Sequence, residues 1–359
     1  MTTQRRLSRR STLRSRRQPS VTSQSSLPSR ISSRRVNNFT LKIMGTASAM
    51  PVVERYQSAH VLEIRERLFL IDCGEGVQRQ LLKNRVSLAK LDSIFITHIH
   101  GDHLFGLFPL LSTLGLSCRN TPVVIYGPSN LAPFLNFFMS YYGKGIGIEI
   151  NFHPLSLKEP EVIYETKSIE VLAFPLNHKI ETYGYLFREK MPQLNVRKEA
   201  VECYNLTLSE IGAIKRGEDI LRPAGPDDGA SFMNGFVRHS GTDEPLLIRN
   251  DEVAYRPYVP RSYAYCSDTA PFPELSTWVK GVDLLYHEAT YLDAMADQAA
   301  SRHHSTTLQA ARCALEAGAG KLVIGHYSSR CRNAARYQEE CRTIFPETYA
   351  AMDGDVFEI

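Results

Sequence analysis

The stretch FITHIHGDHLFGL, Phe95 to Leu107, sets three histidines and an aspartate within six positions directly behind an apolar run. Packing alone accounts poorly for such a cluster, because every buried imidazole or carboxylate needs a polar partner. A metal site accounts for it directly. If Thr97 ends a strand, His98 and His100 point to the same side of the extended chain. Gly101 then allows a sharp turn, so Asp102 and His103 enter from another direction. One pair can serve one cation and the second pair another, with the cations about 3.5–4 Å apart as two-metal sites require. Imidazole suits zinc, and a carboxylate suits a position bridging two cations.

Two cations need further donors, and three more segments offer them. LAFPLNH ends in His178, SYAYCSDT carries Asp268 and KLVIGH ends in His326. Each donor closes a mainly apolar run, so strands carrying them would deliver all three to one rim. Plainer readings stay open for two of them. Asp268 is placed to cap a helix through PELSTWV, and His178 can be an ordinary loop residue.

The surrounding pattern is α/β. FTLKIMG, AHVLEI and RLFLIDCG read as strands, the last two as a hairpin. GVQRQLLKNR reads as a helix, LDSIFIT as a buried strand, and HLFGLFPLLSTLGLS as one apolar helix disturbed at Pro109. The alternation continues through TPVVIYG, LAPFLNFFMSYY, SIEVLAFPL and YGYLFRE. It resumes with SYAYCSD, PELSTWVKG, VDLLYHEAT, STTLQAARCALEAGAG, KLVIGH and AARYQEECRTIF, and TYAAMDGDVFEI suggests edge strands. Strands cluster and then alternate with helices in both halves, which predicts a four-layered αββα sandwich. Residues 189–260 interrupt this order with turn-rich, charge-mixed sequence holding one short helical pattern. They read as a long irregular excursion from the core.

Composition narrows the class. Of 359 residues, 43% are hydrophobic and 22% charged, as in a folded soluble protein. No apolar run approaches the roughly 18 residues of a membrane span, so no membrane partner is expected. The net charge of +4 hides an asymmetry: residues 1–36 hold ten arginines and no acidic residue, which leaves the other 323 residues at −6. Overall charge therefore gives no argument for nucleic-acid binding. The Arg/Ser-rich segment 1–36 is expected to be disordered. It reads equally as a transit peptide, as a basic arm for phosphate backbones, or as sequence without a role, and it lacks the apolar core of a secretory signal. Seven cysteines with no C-x-x-C pair fit reduced thiols. A cytoplasmic location is expected, with organellar import as the alternative.

THIHGDH together with Asp268 and two distant histidines resembles the metallo-β-lactamase superfamily. LLYHEATY (His287, Glu288, Ala289, Thr290) and HHSTTLQAA (His304, Ser305, Thr306) narrow the resemblance to the tRNase Z, or ribonuclease Z, family. MGTASAMP, LFLIDCGEGVQRQL and LVIGHYSSR match it too, so the resemblance runs from about Phe39 to about Asp353. The metal motif alone reaches only the superfamily; the combination is specific.

The resemblance implies the metallo-β-lactamase sandwich over residues 37–359 and two zinc ions per subunit. The first zinc would take His98, His100 and His178, and the second Asp102, His103 and His326, with Asp268 bridging. Asp72 also matches a family position and is read as orienting a ligand. The implied activity is an endoribonuclease that removes the 3′ trailer from precursor tRNA by hydroxide attack on a phosphodiester, leaving a 3′-OH on the tRNA. Asp102 would accept the proton of the attacking water, and His304, oriented by Glu288, would protonate the leaving oxygen. The plainer readings are a position ahead of a helix capped by Ser305 for His304, and a buried ion-pair partner for Glu288.

In that family a flexible arm clamps the tRNA, and residues 189–260 occupy its place. Lys215 and Arg216 are the phosphate contacts expected, although Glu218, Asp219, Asp227 and Asp228 offset them and the usual Gly-Pro hinge is absent. A solvated charged loop is the plainer reading. Because the arm of one short-form subunit serves the active site of the other, a homodimer is implied. Two further departures concern Phe108, Pro109, Leu110 and Leu111, where the family carries Pro-Gly-Leu-Leu, and the loop GTASAMPVVERYQSA, where Arg55 replaces part of a basic-Arg-Asn pattern. Two rival functions are a small-molecule phosphodiesterase on the same fold, which needs no arm, and a non-catalytic, metal-containing RNA-binding protein. The complete ligand set argues against the latter.

Overall fold

A computed structural model describes residues 38–117, 121–223, 231–233, 236–238 and 245–359. The Arg/Ser-rich segment 1–36, Cys118, Asp227 and Asp228 lie outside the described residues. The first sheet is built from β1 (Phe39–Gly45), β2 (Ala59–Ile64), β3 (Arg67–Ile71), β4 (Leu91–Phe95), β5 (Val123–Pro128) and β6 (Ile150–Leu155). The second contains β7 (Glu161–Glu165), β8 (Ile169–Pro175), β9 (Tyr183–Glu189), β10 (Ser262–Cys266), β11 (Leu284–Glu288), β12 (Lys321–Gly325) and β13 (Thr348–Ala350). The C-terminal β14 (Val356–Glu358) returns to the first sheet, giving the orders β14-β1-β2-β3-β4-β5-β6 and β13-β12-β11-β10-β9-β8-β7. In each sheet an antiparallel meander leads into four parallel strands.

Alternation of side chains across these strands makes four layers. Leu41, Leu62, Phe69 and Phe95 of the first sheet pack against Val171, Phe187, Tyr263 and Tyr286 of the second. The opposite face of the first sheet carries Val61, Leu70, Ile94 and Ile125 and is covered by helical Leu81, Leu110, Leu114 and Leu135. On the outer face of the second, Ala264, Leu285 and Ile324 meet Leu275, Ala311, Ala314 and Cys341. The expected αββα sandwich is the fold. No described helix is long and apolar enough to cross a membrane.

Three local expectations change. The apolar run behind the histidine cluster forms two helices, Gly101–Leu104 and Leu107–Leu116. They break where the chain presses on the Asp72–Gly74 turn: Gly106 N donates to Cys73 O at 2.8 Å, and a Cβ at Gly106 would lie 2.1 Å from Gly74 O. Pro109 falls in the first turn of the second helix, where its missing N–H costs little. The edge strand β6 was not expected, because INFHPL carries Pro154 and is largely exposed.

The excursion is not structureless. It holds helices Lys198–Cys203, Leu208–Lys215 and Asn250–Val253 and short antiparallel ribbons. Ala200, Tyr204, Leu206, Ile214, Ile248 and Val253 form a small apolar core of its own. A reciprocal capping box between Thr207 and Glu210 starts the second helix.

Candidate metal centre

β4, β10, β11 and β12 are parallel neighbours in their sheets, and the chain leaves their carboxyl ends into His98, Asp268, Thr290 and His326. His178 arrives just beyond β8. The structure brings all seven residues together, in two sets that share Asp268. In one set His98 Nε2 lies 3.0 Å from His100 Nδ1, and His178 Nε2 lies 3.4 Å from the same atom. Asp268 Oδ2 faces this set, 3.6 Å from His98 Nε2 and 3.9 Å from His178 Nε2. In the other set His103 Nε2 and His326 Nε2 stand 3.3 Å apart, with Asp102 Oδ2 at 3.5 and 3.3 Å from them. Asp268 Oδ1 faces this set, at 3.4 and 3.2 Å. One carboxylate thus divides its two oxygens between the sets.

This arrangement fits cations. Asp268 Oδ1 is buried and accepts no hydrogen bond, which is costly unless something positive occupies the space beside it. The imidazole tautomers are also fixed from behind. Thr97 Oγ1 donates to Asp72 Oδ1 at 2.9 Å, so it must accept from His98 Nδ1, also 2.9 Å away. Thr290 Oγ1 donates to Glu288 Oε2 at 2.7 Å and therefore accepts from His326 Nδ1 at 2.9 Å. His103 Nδ1 donates to Asp72 Oδ2 at 2.7 Å, and His178 Nδ1 to His303 O at 2.9 Å. With Nδ1 occupied as a donor, all four rings turn Nε2 lone pairs inward. Burial holds His98, His100 and His178 below the ordinary imidazole range, in the neutral form that can ligate. Asp72, His303 and His326 adopt left-handed backbone conformations, φ 59°, 57° and 59°, a strain kept where the surroundings fix the side chain.

Beside the two sets, His304 Nδ1 meets Glu288 Oε1 at 2.9 Å. Glu288 is buried and also accepts from the backbone N–H groups of Thr269, Thr290 and Ser305 at 3.0–3.1 Å. Glu288, His304 and His326 are close enough to be considered a third donor set. The Glu288 oxygens are already saturated by donors and His304 Nδ1 is turned to them, so this corner offers a cation little. Burial opposes the charged form of His304, but the Glu288, Asp268 and Asp102 carboxylates outweigh it and raise the imidazole to about 9. His304 borders an open cleft of about 670 Å³ together with His100, Asp102 and Asp268, and Lys179 and Arg302 add positive charge to its lining.

The plainer readings fare differently. Asp268 caps no helix, since the helix Glu274–Trp278 begins after Pro273. Ser305 is not a cap either; Thr306 caps Thr307–Ala317. Lys215 and Arg216 are exposed at the end of their helix, but Arg216 is paired in both N–H arms with Glu218, at 2.7 and 3.3 Å. Arg55 is engaged within the fold, donating to Cys331 O at 2.5 Å over the Tyr327 ring. Phe108 is half-buried, Pro109 exposed, and Leu110 and Leu111 buried in the helical layer. Sequence reasoning missed the tethers: Thr97 and Thr290 as tautomer-setting groups, the His303 carbonyl, and Tyr265, whose hydroxyl donates to Asp72 Oδ2 at 3.0 Å.

Known proteins resemble this chain over nearly the whole described body. Residues 39–194, less than half of the chain, match the family model described as anti-Pycsar protein Apyc1. Ribonuclease Z of Bacteroides thetaiotaomicron is 37% identical over 320 residues, covering 89% of this chain and 95% of that one. Ribonuclease Z of Bacteroides fragilis is 36% identical over 319 residues, covering 89% and 98%. Among solved structures, human tRNase Z, short form, superposes with a TM-score of 0.61 at 24% identity, covering 89% of this chain and 98% of that one.

Proposed function

We propose, for a chain that belongs to the ribonuclease Z family, that it is a zinc-dependent endoribonuclease removing the 3′ trailer from precursor tRNA. The observation that carries this reading is the pair of donor sets sharing Asp268 next to the His304–Glu288 pair in one open cleft. The donor set, five imidazoles and two carboxylates, suits two zinc ions, held by His98, His100 and His178 on one side, by Asp102, His103 and His326 on the other, and by Asp268 between them. Bound there, they would lower the pKa of water and stabilise charge on the attacking and leaving oxygens.

The chain's own groups handle the protons. Asp102, on the cleft wall, accepts the proton from the attacking water as its oxygen bonds to phosphorus. The P–O3′ bond breaks opposite, and His304 delivers a proton from Nε2 to the departing ribose oxygen. Glu288 keeps His304 charged and aimed, and its other donors keep Glu288 in place. The products are a tRNA ending in 3′-OH and a trailer carrying a 5′-phosphate. Lys179 and Arg302 supply positive charge along the cleft, which favours a polyanion. Lys215 and Arg216 of the insertion are the proposed distal phosphate contacts, with Arg216 exchanging Glu218 for phosphate. A homodimer is part of the reading. So is a cytoplasmic location, supported by the free thiols of Cys73, Cys266, Cys313, Cys331 and Cys341.

The test is cleavage of a 3′-extended precursor tRNA beside hydrolysis of bis(p-nitrophenyl) phosphate, with metal counted per chain. The reading expects precursor cleavage at a far higher kcat/KM, a 3′-OH on the tRNA, and loss of activity on chelation. Hydrolysis of the small diester alone would instead favour the small-molecule phosphodiesterase.

A further inference from the structure

Far from the donor sets, at the root of the insertion, Glu189 is a buried carboxylate that the proposed chemistry does not use. Its side chain has 0% exposure, although it is the last residue of β9, where the chain leaves the sheet. Arg261 stands where the chain returns, one residue before β10. The two grip each other as a fork on a fork: Arg261 Nε donates to Oε2 at 3.0 Å and Nη2 to Oε1 at 3.2 Å, while Arg261 N donates to Oε2 at 3.1 Å. A second guanidinium closes the cluster from the first sheet. Arg65, in the turn between β2 and β3, donates Nε to Glu189 Oε1 at 2.9 Å. Its guanidinium carbon sits over the Tyr258 ring, 3.9 Å from the centroid.

Beyond this knot the two legs stay fastened. Tyr258 Oη donates to Lys190 O at 3.0 Å and Arg256 Nη1 to Pro192 O at 3.1 Å, and Asn195 and Val196 pair with Tyr255 and Ala254. A buried carboxylate between two arginines is stable only in one geometry, because losing a partner leaves a charge unpaired out of water. The root is therefore a brace. An element held in one pose loses less freedom when a large ligand engages it, and the gain appears as affinity.

We propose that Glu189 is a positioning residue which, through Arg65 and Arg261, fixes the insertion in the pose that meets precursor tRNA. This rests on the reading of the insertion as an RNA-contacting element. Glu189→Gln and, on the outer side of the brace, Arg65→Met should each raise KM for the precursor about five-fold or more. Both should leave kcat and the hydrolysis of bis(p-nitrophenyl) phosphate within two-fold of the parent, the small diester also reporting that the variant is folded. An unchanged KM, or a parallel fall in both activities, overturns the proposal, and Arg65→Met decides alone if Glu189→Gln does not fold. Charge reversal by Lys215→Glu with Arg216→Glu separates RNA contact by the insertion from bracing at its root. If it leaves the precursor KM unchanged, the RNA-contacting reading fails; if it raises KM while the brace variants do not, the brace fails.

Discussion

Asp72 and Glu288 occupy matching corners, one behind the first sheet's donors and one behind the second's. Each carboxylate holds one imidazole directly and another through a threonine: His103 and, by Thr97, His98 for Asp72; His304 and, by Thr290, His326 for Glu288. The wiring is the same, yet the directly held imidazoles differ in what they face. His103 is fully buried and turns Nε2 to Asp268, Asp102 and His326. His304 keeps 14% of its side chain exposed and borders the cleft. On the proposed reading, one device would serve a ligand where the ring is enclosed by donors and an acid where it borders the cleft. Position, not residue type, divides the roles.

Asp268→Ala removes the group common to both sets, and turnover should fall on the order of 10³-fold or more with loss of bound metal. Retention of full metal content in a kinetic assay with parental rates would refute the shared-carboxylate reading. His304→Ala should lower kcat by about 10²–10⁴-fold, the usual worth of a general acid, while metal analysis finds the parental content. Equal turnover would remove the acid from the account.

The two corners themselves should separate. Asp72→Asn should weaken metal binding by about 10–100-fold in a chelator competition, as loss of an orienting partner does. Glu288→Gln should act mainly on kcat, because its direct partner is the proposed acid, His304. If both variants moved metal affinity equally, the division of roles would be wrong. The smallest effect belongs to the threonines. Thr97→Val and Thr290→Val each delete one hydroxyl relay, worth about 0.5–1.5 kcal/mol, so metal affinity should drop roughly two- to ten-fold in each.

Much of this was legible in the sequence because it rests on spacing and on apolar runs. THIHGDH announces its chemistry by density, and His178, Asp268 and His326 share the pattern of a donor closing a buried strand. The layered fold followed from the order of such runs. What escaped was set by tertiary contact. The split of the helix after His103 depends on Gly106 meeting Cys73 and Gly74, far back in the chain. The His303 tether is a carbonyl, which no side-chain identity reveals. Tyr265 looks like any strand tyrosine until the sheets close and its hydroxyl reaches Asp72. In the insertion, Ala200, Tyr204, Ile214, Ile248 and Val253 are scattered too widely to show a period, so their common core was invisible.

The central proposal is a pair of cations held by seven side chains from four separated segments. Plasma mass spectrometry of the purified full chain, with the protein counted by amino-acid analysis, measures this directly. It should find two zinc ions per chain in the parent and a clear loss in Asp268→Ala. A folded parent that binds one divalent ion or none, even after incubation with excess zinc, would contradict it.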